Sequence, residues 1–137
     1  MRIFNPRFWL IIFGLVNLLF GVMLYYVSED AASNLAGELG SDLSDSILLL
    51  FAQNMHEALG VVWAAWGAFT LAAGIRNRGT AAKGPAILAA IIGLIVQAHH
   101  ASQIIADELP VGYTDVVISL VLIIFLLISG ITYKEKS

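Results

Sequence analysis

The chain has 137 residues, of which 59% are hydrophobic and 12% charged, with a mean hydropathy of +0.86 and a formal net charge of −3. Soluble domains hold their apolar share to about half, so this composition describes an integral membrane protein. There is no cysteine, which excludes disulfides, thiolate metal sites, iron–sulfur clusters and cysteine nucleophiles, and a slightly acidic chain without a basic groove has no use for nucleic acid as a partner.

Lipid offers the backbone no hydrogen bonds, so spanning segments are helices or closed barrels. Apolar runs of about 20 residues without two-residue alternation choose helices. The first predicted helix covers residues 8–27. Its apolar run is too long for a signal peptide and "VSEDAAS" is a poor cleavage site, so it is read as retained. Gly14, Asn17, Gly21 and Leu24 fall on one face as a small-residue seam, the feature that lets membrane helices approach closely.

Residues 28–45, "SEDAASNLAGELGSDLSD", are acidic. Their spacing matches no calcium loop, and they read as a solvated, partly helical linker carrying no site. The second helix, 46–75, overshoots a hydrocarbon core of about 30 Å and must tilt or project. Asp45 or Ser44 is its expected cap. At about 100° per residue, Gln53, Glu57, Gly60, Ala64, Gly67 and Leu71 share a face, with His56 and Gly74 at its edge and Trp66 pointing away.

The third helix, 85–105, opens at Gly84-Pro85, where proline's missing N–H costs nothing. Ala86, Ala90, Gly93, Gln97 and Ile104 form its seam with His100 at the edge, while His99 points the other way with Ile92, Ile95 and Gln103. The fourth helix, 116–133, with Thr114 as expected cap, is Leu, Ile and Val on nearly every side and reads as the lipid-facing member. The expected fold is therefore all-α: a single-domain, four-helix transmembrane bundle.

Charge gives the orientation. Arg2, Arg7, Arg76, Arg78, Lys83, Lys134 and Lys136 all flank one set of helix ends, and the other set carries only acidic residues. The positive-inside rule places both termini in the cytoplasm and the protein in the cell (inner) membrane, with Trp9 and Tyr133 in the inner aromatic belt and Tyr25, Tyr26 and Tyr113 in the outer.

The second and third helices run in opposite directions, so His56-Glu57 and Gln97-His100 both fall in the outer half of the bilayer. A lone carboxylate there costs about 2.5 to 3.5 kcal/mol, so Glu57 needs a proton, a histidine or a cation. Three readings stand side by side. His56, Glu57, Gln97 and His100 satisfy one another and lock the bundle. Or they form a ligand or proton site, with Gln53 and Asn17 in reach. Or His56, Glu57 and His100, with His99 as second choice, bind a divalent metal ion. Haem between His56 and His100 is disfavoured, because its propionates find no cation on the outer side. The "HE" of 56–57 lacks the second histidine of H-E-x-x-H, and "HH" at 99–100 lacks repeated histidine boxes.

The order of parts, "FGLVNLLFGVML", an outer loop, "HEALGVVWAAWGAFTLAAGIRNR", a basic turn and two further helices, resembles the small DoxX-like four-helix membrane proteins across the whole chain. That resemblance implies an accessory role in a membrane redox assembly. The reading is a membrane binding or accessory subunit rather than an enzyme, in contact with the bilayer and with other membrane subunits or copies of itself. The alternative is a metal- or haem-binding enzyme or electron-transfer protein using His56, Glu57 and His100.

Overall fold

The computed structural model describes residues 5–38, 46–106 and 114–134, and every regular element among them is helical. In chain order these are α1 (Pro6–Tyr26), α2 (Ser28–Glu38), α3 (Ser46–Arg76), a 3-10 turn (Gly79–Ala82), α4 (Lys83–Ile105) and α5 (Thr114–Thr132). Three stretches, Pro6–Tyr26, Leu49–Arg76 and Gly79–Ile105, are long and apolar enough to cross a membrane, and the apolar part of α5, Val116–Thr132, is shorter. Large apolar side chains face outward throughout, Val62, Phe69 and Ile95 each above 60% exposed, a surface that only lipid or another apolar partner would cover.

Local chemistry sets the helix boundaries. Asn5 caps α1, its Oδ1 accepting from the Arg7 N–H at 3.0 Å, and Pro6 takes the first helical position, where no N–H is needed. Val27 makes a one-residue turn between α1 and α2, and the backbone bonds from Val27 N to Met23 O and from Ala31 N to Val27 O keep the carbonyls satisfied through it. The acidic stretch thus begins as an 11-residue helix with Glu29 and Asp30 in its first turn, favourably placed for the helix dipole. After α3 the chain reverses at Gly79, whose φ of 56° lies in the left-handed region that favours glycine. The 3-10 turn then feeds directly into α4, so Pro85 falls within the helix's first turn rather than at its start. Thr114 is the first residue of α5. The expected caps at Ser44 and Asp45, and Tyr113 of the outer belt, lie outside the described residues.

The chain divides into two compact units, residues 16–67 and residues 1–15 with 68–137. In the first, the later part of α1 runs antiparallel to the earlier part of α3 at backbone contact. A Cβ added at Gly60 would lie 2.8 Å from Gly21 O and Tyr25 N; one at Gly67 would lie 2.6 Å from Leu18 Cα; one at Gly21 would lie 2.6 Å from Gly60 O. Phe20 meets Trp63 edge to face at 5.8 Å. The seam expected on α1 is observed: Gly14, Asn17 and Gly21 are buried and Leu24 half-buried. Trp66, expected to point away from the α3 seam, is half-buried and in contact.

In the second unit the start of α1 meets the end of α3, with Gly74 against Leu10 and Ile11, and the Arg7 Nε donates to Gly74 O at 3.2 Å. Antiparallel α4 and α5 pack through Gly93 against Ile123 and Gly130 against Ile87. Every residue assigned to the α4 seam is buried: Ala86, Ala90, Gly93, Gln97 and Ile104, joined by Ala89. Helix α5 is more than a lipid-facing member. It buries Val116, Ile123, Leu126 and Ser129, and the Ser129 Oγ donates to Leu126 O at 2.7 Å, so that buried hydroxyl is satisfied within the helix.

These contacts rank the glycines. Gly67→Ala places a methyl against backbone that cannot move aside and should cost about 3 kcal/mol, the upper range for overpacking. Gly93→Ala meets side chains alone, Ile123 at 2.9 Å and Phe13 Cζ at 3.6 Å, and should cost less. Gly84→Ala meets nothing within 4 Å and should change stability by no more than about 1 kcal/mol, in the favourable direction. Thermal unfolding in detergent checks the order.

Candidate functional site

The polar residues of α3 lie one turn apart on a single face, and this spacing puts Gln53 directly above Glu57. Gln53 Nε2 donates to Glu57 Oε1 at 3.0 Å. A second donor reaches the same oxygen from another element: Ser28 Oγ, at 3.3 Å. Ser28 opens α2 just after α1 ends, and it is 4% exposed. Glu57 Oε1 therefore accepts from a hydroxyl and an amide, partners from α2 and from one turn back on α3. Both bonds end on Oε1, and Oε2 takes part in neither.

His56 is held separately. Its Nδ1 is 2.8 Å from the Ala52 carbonyl oxygen one turn back. A carbonyl only accepts, so Nδ1 carries the hydrogen and the lone pair of the neutral ring is on Nε2. His56, Gln53 and Glu57 are all half-buried, which leaves the imidazole and the carboxylate partly open at the surface of the unit.

The level of this cluster follows from the helix contacts. Gly60 touches Tyr25, in the last turn of α1, and Glu57 is reached by Ser28, beyond it. Helix α1 is 21 residues long, about 31 Å, which matches a hydrocarbon core of about 30 Å. Glu57 thus stands level with the end of α1's apolar run. Asn17 does not join it. Asn17 is buried beside Gly67, ten positions along α3 or about 15 Å away, and serves the packing seam.

The remaining candidates belong to the second unit. Gln97 is 6% exposed and its Oε1 has no hydrogen-bond partner among the described residues. His100 is half-buried and His99 exposed, the asymmetry that helical phase predicted. Ser102 Oγ donates to the His99 carbonyl at 2.6 Å. Among the described residues no group of three or more His, Asp and Glu gathers as metal ligands, so the metal reading of His56, Glu57, His99 and His100 gains no support.

Ser28 is the residue that sequence reasoning passed over. Its signal was position: a hydroxyl placed where an apolar helix gives way to "EDAAS". The cluster yields a ranking of variants. Glu57→Ala strands the buried Ser28 hydroxyl and should cost about 1 to 3 kcal/mol, with Ser28→Ala at about 1 kcal/mol. His100→Ala should cost more than His99→Ala. Unfolding midpoints of the four variants under one detergent condition check the series.

No family model, curated protein or solved structure matches this chain.

Proposed function

We propose that the protein is a four-span subunit of the cell membrane, with both termini in the cytoplasm, that binds a ligand or partner instead of catalysing a reaction. The observation that carries this reading is the convergence of Ser28 and Gln53 on Glu57 Oε1 at the level where α1 ends. The bond fastens α2 to α3 and leaves Glu57 Oε2 and His56 Nε2 as acceptors. Two acceptors at a membrane boundary suit a small group that brings N–H, O–H or positive charge from the outer side. They do not suit acyl or phosphoryl transfer. Ser28, the nearest hydroxyl, is buried and already donating to Glu57, so it has no access to a substrate as a nucleophile.

The orientation rests on the cations at one set of helix ends, and the fourth span on the uninterrupted apolar sequence of α5. The outward apolar faces of α3 and α5 support contact with other membrane subunits as well as lipid. An accessory role in a membrane redox assembly rests on the resemblance to DoxX-like proteins alone.

Two measurements test the reading. The chain has no cysteine, so single cysteines at Ser33 and Thr80, both exposed, report the sides without background. A membrane-impermeant thiol reagent added to intact cells should label Ser33→Cys and spare Thr80→Cys; the opposite pattern overturns the orientation. Native mass spectrometry after gentle extraction from the host membrane should show either a stoichiometric second polypeptide or a bound small molecule, and Glu57→Ala should lose it. A bare chain in both samples overturns the binding role.

A further inference from the structure

Five cations in the described part of the chain, Arg7, Arg76, Arg78, Lys83 and Lys134, belong to the same compact unit. Contacts bring the helix ends that carry them to one end of that unit. Arg7 Nε bonds to Gly74 O near the end of α3. The Lys83 carbonyl at the start of α4 lies 3.3 Å from where Gly130 would carry a Cβ, in the last turns of α5. Trp9, two residues past Arg7, stacks on Phe125 of α5 at 4.8 Å and 9°.

Among the described residues no carboxylate answers this charge. Asp115 is the one acidic residue described in the unit, and it opens α5 at the opposite end, about 25 Å along the helix from the last turn. Among the described residues none of the five cations is ion-paired. Arg76, Arg78 and Lys134 are exposed. Arg7 is already oriented through its Nε, and both terminal nitrogens of its guanidinium remain for an anion, in the planar fork that matches a phosphate.

The occupant's other half is written beside each charge. Phe8 follows Arg7 and is 48% exposed; Ile75 precedes Arg76 at 56%; Ile131 lies one turn from Lys134 at 60%. A soluble anion would satisfy the cations and leave this apolar margin uncovered. An amphiphile satisfies both. We propose that this end of the protein is a binding surface for anionic phospholipid, with Arg7, Arg76, Arg78, Lys83 and Lys134 taking the headgroup phosphate and the acyl chains lying along the outward apolar side chains beside them. The surface goes beyond the Glu57 cluster and does not depend on it.

The test uses the full chain reconstituted in vesicles of equal parts phosphatidylcholine and phosphatidylglycerol, with spin-labelled forms of each lipid reporting the fraction held at the protein surface. Phosphatidylglycerol should be preferred about fivefold, the ratio expected of one unpaired Lys or Arg beside an anionic surface. The preference should shrink in high salt and shrink when Arg76, Arg78, Lys83 and Lys134 are all changed to Gln, with Arg7 alone of the five left in place. Arg76→Lys with Arg78→Lys should retain it, as should Glu29→Gln with Asp30→Asn on α2. Equal association of the two lipids with the unaltered protein overturns the proposal, as does a preference untouched by the four Gln substitutions. Loss of the preference in millimolar inorganic phosphate at constant ionic strength would also overturn it, by showing that a soluble anion suffices.

Discussion

Backbone contact between α1 and α3 is the constraint from which the other features follow. In lipid, two apolar helices gain nothing from hiding apolar surface, since the solvent is as apolar as they are; association rests on dispersion and on polar contacts. Dispersion falls away within an ångström of the optimum, so helices must come close, and only residues without a side chain permit it. Glycine recurs at positions 60, 67 and 74 of α3, every seventh residue, each time against α1 backbone or the base of a side chain. Side-chain size at three positions therefore sets the interaxial distance. The distance in turn decides whether Ser28 can reach Glu57.

The sequence foretold most of this where periodicity could act. Uninterrupted apolar runs marked α1, α3, α4 and α5 to within about two residues, and the 100° step assigned the α4 face from Ala86 to Ile104 correctly. It also separated His99 from His100. What escaped was information that periodicity does not hold. A helical wheel says which way Trp66 points but not what another element brings to it. It gave α5 no packing face because Ser129 and Gly130 occupy one short stretch rather than a repeating stripe.

The same limit explains the reading of Glu57. Its chemistry was legible: a carboxylate in an apolar helix needs a donor, and Gln53 one turn away was on its face. A proton, a histidine or a cation was the expected partner, and Ser28 belonged to a stretch that reads as a solvated linker. The helical start of that linker, with Glu29 and Asp30 outward and Ala32 buried, makes Ser28 part of the packed structure. The contact with the residue just past α1 sets the cluster level with that helix end.

The bond from His56 to the Ala52 carbonyl makes this ring a fixed template. A histidine free to rotate can offer a partner either of its two nitrogens in turn. Here Nδ1 is tied to the backbone of its own helix, one turn back, so the ring's orientation is set by α3 itself and Nε2 is the one ring nitrogen left for a partner. Whatever docks beside Glu57 meets an imidazole whose direction is decided before it arrives, and none of the ring's rotational freedom has to be given up on binding.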